Sequence, residues 1–206
     1  MGAREIETLF TRSDGSYVFA RWGRPIAPVV FGVDDATLSV VKGALEAVVA
    51  LAGHALAEAD AELGSNLLVF FFSNWAELPE VPGMDHLLPD LEPLVARLQK
   101  VDANQYRFFR FDEQGAIKAC FVFLRMDAAL RDQPARTVAL SQMVHAVLLW
   151  SDTAFQERSA LATAGDTTIL RPDIADLIRA AYDPVMPVAA QDSSHAMRLA
   201  ARVVAQ

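Results

Sequence analysis

Apolar and polar positions recur along this chain with two periods, near 3.6 and near 2, and the switches between them mark its elements. Residues 5–10 carry the spacing of a short helical turn, closed by the turn signal Ser13-Asp14-Gly15. Two β-rich runs follow, Tyr17 to Trp22 and Pro28 to Val33, joined by Gly23-Arg24-Pro25. Asp34 or Asp35 supplies the cap of a long helix in which Leu38, Val41, Leu45, Val48 and Ala52 share one face, and Gly53 stops it. Asn66 to Phe72 is a continuous apolar run between polar residues, which is how a central strand covered on both faces reads.

Pro79, Pro82, Gly83 and Pro89 make 73–90 a loop with short turns, and Leu94, Leu98 and Val101 give Leu91 to Val101 a helical pattern. Tyr106 to Phe111 and Ala116 to Leu124 flank Asp112-Glu113-Gln114-Gly115 and predict a β-hairpin. Arg136 to Trp150 predicts a helix, followed by an irregular stretch to Leu170. Pro172 opens a helix ending near Tyr182, Pro184 and Pro187 break the chain, and Asp192 or Ser193 caps a last helix to Val204. Strands and helices mix without regular βαβ alternation, so the expected class is α+β, with a mixed and mainly antiparallel sheet packed by a long helix. The 206 residues are expected to form one domain, 5–152 strand-rich with the two long helices and 153–206 helical.

Composition narrows the function classes. Hydrophobic residues are 53% and charged residues 21%, a globular rather than disordered balance. The net charge of -8 and the scattered Lys and Arg argue against nucleic acid, which needs clustered cations. One cysteine, Cys120, excludes an intrachain disulfide and a cysteine-rich zinc module. No window reaches the roughly 18 apolar residues of a membrane span. The N-terminus lacks the apolar core of a secretory signal, which fits a cytoplasmic chain, or a periplasmic or secreted one whose leader was removed. Met1-Gly2 fits either a native start or a cloning remnant. Ile6 stands where a myristoylation site wants Ser or Thr.

The segment with the most chemical content is Leu140 to Asp152. At about 100° per residue Ser141 and His145 lie within roughly 40° on one helix face. Gln142 borders that face, and the Met143, Val144 and Val147 side is apolar. Such a polar lane either satisfies hydrogen bonds or lines a cleft.

This spacing resembles the zincin helix, in its metzincin form His-Glu-x-x-His-x-x-Gly-x-x-His. Ser141 falls on the first His, Gln142 on the catalytic Glu, His145 on the second His, Leu148 on the Gly and Ser151 on the third His. Three neutral imidazoles would leave one zinc position for water, and the Glu would take that water's proton. Serines are poor zinc ligands and Gln142 is no base near neutral pH, so the resemblance implies a site without metal, cofactor or peptidase chemistry.

The chain also resembles a bacterial family of zincin-like sequences known as domain of unknown function 2927. The equivalent helix there tends to read Glu-Glu-x-x-Gln-x-Leu-Gly-Leu-x-Asn-Asp. Leu149 and Asp152 are kept here and Val147 stands at the first Leu, whereas Ser141, Gln142, His145, Leu148 and Ser151 depart. Arg21-Trp22 and Leu177 to Pro184, like a Leu-Tyr-Asp-Pro signature, belong to the similarity, and Met186 lies where a methionine turn is expected. The resemblance implies a zincin-like α+β fold with a degenerate active-site helix and C-terminal helices. The implied function is a catalytically inactive domain, a pseudoenzyme, that binds a protein or small-molecule ligand. The alternative is a hydrolase or other enzyme reusing the same cleft, and a third reading is a subunit docking a partner through an apolar patch.

Ser141, Gln142, His145, Ser151 and Asp152 are thus the candidate cleft residues. His145 reads as a hydrogen-bonded, partly buried histidine or as a ligand contact. A Ser141-His145-Asp152 triad fits poorly, because Ser141 is on a helix and not at a nucleophile elbow. Cys120 reads as a small buried hydrophobe, His86 as an exposed loop histidine, and His54 and His195 as a helix end and start. Trp22, Trp75 and Trp150 read as core, with any of them able to line the cleft.

Overall fold

Capping and periodicity place most elements of the computed structural model, which describes residues 1–88, 90–165 and 167–205. Pro89, one of the breakers of the second loop, lies outside them. The N-terminal half runs α1 (Ala3–Phe10), β1 (Phe19–Ala20), β2 (Pro28–Phe31), α2 (Asp35–Ala52) and β3 (Leu67–Phe72). A 3-10 helix (Trp75–Glu80), α3 (Met84–Leu87) and α4 (Leu91–Lys100) lead to the hairpin β4 (Gln105–Phe111) and β5 (Ile117–Arg125). Then come α5 (Ala128–Arg131), α6 (Ala135–Val147), β6 (Leu161–Ala164), β7 (Thr167–Leu170), α7 (Pro172–Ala181), β8 (Ala189–Ala190) and α8 (Ser194–Val204).

Helix α2 shows how local signals set its bounds. The Asp34 carboxylate accepts from the Thr37 amide at 2.8 Å, and Gly53 takes the left-handed conformation (φ +62°) that returns its amide to the last turn.

The four-stranded sheet has the order β2-β3-β5-β4. Val69 of β3 lies between Val30 of β2 and Val122 of β5, and both ladders are parallel. Only β4 and β5 pair antiparallel in this sheet. The class is mixed α and β with a mixed sheet, as expected, but antiparallel pairing does not dominate the sheet. The reason is the crossovers. A parallel neighbour needs a connection of a dozen or more residues, which α2 supplies between β2 and β3. The ribbons β1–β8 and β6–β7 are also antiparallel.

Both faces of the sheet are covered. On β5, Cys120, Val122 and Leu124 face a core shared with α2, α6 and α7, while Ala119, Phe121 and Phe123 face the 3-10 helix and α4 through Trp75, Leu78 and Leu94. That two-sided burial is why β3 is apolar at every position. The 5–152 and 153–206 parts meet in one core, where Ile174, Leu177 and Leu199 cluster with Ile6, Phe10 and Trp150. The latter part also carries the β6–β7 hairpin, where an irregular stretch was expected.

Helix α6 stops at Val147, three residues before the sequence pattern does. Leu148 leaves it in extended conformation (φ -136°, ψ 155°) and bridges to Arg21, and the Leu149 amide donates to the Ala20 carbonyl at 2.9 Å. The last carbonyls of a helix lack intrahelical donors. Three aromatic side chains supply them here. Trp150 Nε1 donates to the Val144 carbonyl at 2.8 Å, Trp22 Nε1 to Ala146 at 2.8 Å, and the Tyr182 hydroxyl to Val147 at 2.7 Å. No left-handed glycine is needed, so Leu148 is compatible with a sharp exit. The Arg21 guanidinium lies 5.3 Å from the centre of the Tyr182 ring and donates to the carbonyl of the buried Met186.

Candidate functional site

The early end of α6 turns the chain so that 149–152 leave its tip beside β4 and the 12–14 loop. These segments enclose an open cleft of about 530 Å³, within the range of small-molecule sites. Arg12, Arg107, His145, Trp150, Ser151 and Asp152 line it, with Phe109 and Leu149 as apolar wall.

His145, Ser151 and Asp152, three of the five sequence candidates, therefore meet at one cleft, whereas Ser141 and Gln142 do not line it. His145 Nδ1 lies 2.7 Å from the Ser141 carbonyl oxygen. A carbonyl only accepts, so Nδ1 carries the proton and Nε2 remains an acceptor. Burial, with the Arg107 charge adding to it, pushes the imidazole down to about 4, so it is neutral at physiological pH. Phe155 covers it edge-on with ring centres 5.3 Å apart. Phe155 has φ +65°, a conformation costly for a bulky side chain and held here by packing on His145 and Trp150.

Asp152 does not orient His145. Its carboxylate accepts from the Ser13 amide at 2.9 Å and the Ser13 hydroxyl at 2.5 Å, and those bonds hold it below the usual carboxylate range. Ser141 meets His145 through its backbone carbonyl, so Ser141, His145 and Asp152 form no triad. The Ser151 hydroxyl shares a hydrogen bond with Thr153 at 3.1 Å.

Gln142 is 2% exposed. Its amide nitrogen donates to Gln105 Oε1 at 2.9 Å, and its Oε1 accepts from the Arg107 guanidinium. Gln142 is thus a neutral side chain held in a polar ladder with β4. Arg107 is the residue that sequence reasoning missed. Gln105, Arg107 and Phe109 share the β4 face opposite Leu124, Val122 and Cys120, the face that meets α6. The available signal was an arginine at an inward position of an aromatic strand. Burial lowers its pKa from the ordinary arginine value, and no carboxylate lies within 4 Å of it among the described residues.

The other candidates take structural places. Cys120 is fully buried, and burial pushes its thiol up to about 12. His86 is exposed, His54 shares a hydrogen bond with the Arg24 carbonyl, and His195 is buried with Nδ1 2.8 Å from the Tyr17 hydroxyl. Trp22 and Trp75 are core, and Trp150 both packs and lines the cleft. Among the described residues no three His, Cys, Asp or Glu side chains are grouped to hold a metal ion, and no helix is long and apolar enough to cross a membrane. Compared with known protein families, curated proteins and solved structures, the chain matches none.

Proposed function

We propose that this chain is a zincin-like domain without peptidase activity that acts by binding, with the cleft beside α6 as its site. The observation that carries the reading is Gln142. A metalloprotease needs a carboxylate free to take a proton from metal-bound water, and the side chain at that position is a neutral amide bonded to Arg107 and Gln105. Two further features support the zincin-like part. The order of strands, long helix, strand, hairpin and helix agrees with the family resemblance. The separate segments that carry that resemblance, Arg21-Trp22, the tip of α6, Tyr182 and Met186, also converge on one another. The test is metal analysis of protein purified without chelator. Sub-stoichiometric zinc, unchanged in His145→Ala, is the expected result. Stoichiometric zinc lost in that variant overturns the reading.

A second reading, an enzyme of another class reusing the cleft, draws on His145 and Asp152 lining it together. It requires hydrolytic turnover of ester or amide substrates that His145→Ala abolishes. A base held near 4 is a weak one at neutral pH, which favours binding over catalysis.

A further inference from the structure

We infer that the cleft takes the carboxylate of a small organic acid against Arg107, with the acid's apolar body along Phe109 and Trp150. This rests on the binding reading above and specifies its ligand. Arg107 is half-buried, and its Nη2 bond to Gln142 is the hydrogen bond it makes among the described residues. Its Nε is buried without a partner. The half-buried cation therefore has neither a counter-charge nor full hydrogen bonding, and an anion in the cleft would supply the counter-charge to the part of the guanidinium that faces it. The two carboxylates nearest the cleft do not do so. Asp152 is engaged by Ser13 and Asp14 by the Ser16 amide and hydroxyl at 2.9 and 2.6 Å, and both are exposed at the rim.

The chemistry favours a carboxylate. A planar guanidinium matches a planar carboxylate. A phosphate dianion would ask for more donors than one half-buried arginine offers, and the rim carboxylates oppose a second negative charge. Arg12, exposed at the same rim, helps draw an anion in. Phe109, Leu149 and Trp150 give the ligand's other end an apolar surface.

The test is calorimetric titration of the full chain near neutral pH with phenylacetate, its neutral amide phenylacetamide, and inorganic phosphate. Phenylacetate should saturate a single site, with phenylacetamide and phosphate each weaker by at least about tenfold. Gln142→Glu places a carboxylate on Arg107 at nearly constant volume and should weaken phenylacetate by at least about tenfold, as should Arg107→Gln. If Arg107→Gln fails to fold, Gln142→Glu and the acid-to-amide ratio of the unaltered protein still decide. No saturable binding of phenylacetate, tighter binding of phosphate, or unchanged affinity in folded Gln142→Glu would each overturn the inference. Equal binding of acid and amide would overturn it too, while leaving the cleft as a ligand site. Zinc at His145 would instead strike the parent reading.

Discussion

Replacing Tyr182 with Phe removes one oxygen and keeps the ring, so it isolates the hydroxyl that closes α6. That hydroxyl donates to the Val147 carbonyl at 2.7 Å and accepts from the Trp22 amide at 3.4 Å. The ring is 8% exposed and Val147 2% exposed, so water does not readily replace the lost donor. An unsatisfied buried polar group costs about 1–3 kcal/mol. The longer bond adds little, and the expected loss is about 2 kcal/mol. For a chain of this length that lowers Tm by about 4–8 °C. In urea the midpoint should fall with the slope unchanged, because the unfolding surface is the same. The control is Tyr106→Phe, a half-buried residue whose hydroxyl has no hydrogen-bond partner among the described residues and which should stay within about 0.5 kcal/mol of the parent. A loss below about 0.5 kcal/mol for Tyr182→Phe, or one matched by the control, would refute the account of how α6 ends.

His195 makes stability depend on pH. Its folded pKa is pushed down to about 4 by burial against a free value of 6.5, so its contribution is complete above 6.5 and is lost as pH falls toward 4, by about 3 kcal/mol at most. The depressed carboxylates act only nearer their own lower values, while buried His145, also near 4, adds a loss of the same sign, so urea midpoints between pH 7 and 4.5 should fall, and His195→Gln should remove part of that fall. Asp34→Ala removes the acceptor for the Thr37 amide and should cost about 1 kcal/mol by thermal unfolding. Cys120 should resist thiol reagents in the native protein and react fully in denaturant, and labelling of the folded chain at the unfolded rate would contradict its burial.

What could be read along the chain follows the range of the forces involved. Helix α2 was legible almost to the residue because Asp34 and Gly53 act within one turn of its ends. The β4–β5 hairpin was legible because its turn is local. The extended run Tyr17–Trp22 was legible as extended, but only Phe19 and Ala20 form a strand, since neighbouring positions bridge to Thr11, Leu148 and Ile117. None of those partners is announced by the run itself. The end of α6 shows the same limit from the other side. Leu148-Leu149-Trp150 suits a helix by propensity, and the backbone of 20–21 claims it instead. The β6–β7 hairpin was hidden because neither Leu161–Ala164 nor Thr167–Leu170 alternates apolar and polar residues along the sequence.

The candidate site divides along the same line. His145, Ser151 and Asp152 were reachable from spacing because one helix and its exit carry all three. Arg107 was not, since it meets Gln142 from a strand 35 residues away. That pairing also changes how Gln142 reads. Beside Arg107 it is a neutral acceptor that engages the guanidinium without discharging it. A glutamate at 142 would form an ion pair with Arg107, which would both remove the carboxylate as a base and neutralise the cleft's half-buried cation. An arginine at 107 is thus incompatible with a free general base at 142 and compatible with an anion in the cleft. The neutral acceptor at 142 and the uncompensated charge at 107 belong to one arrangement, and Gln142→Glu tests it by supplying the counter-charge.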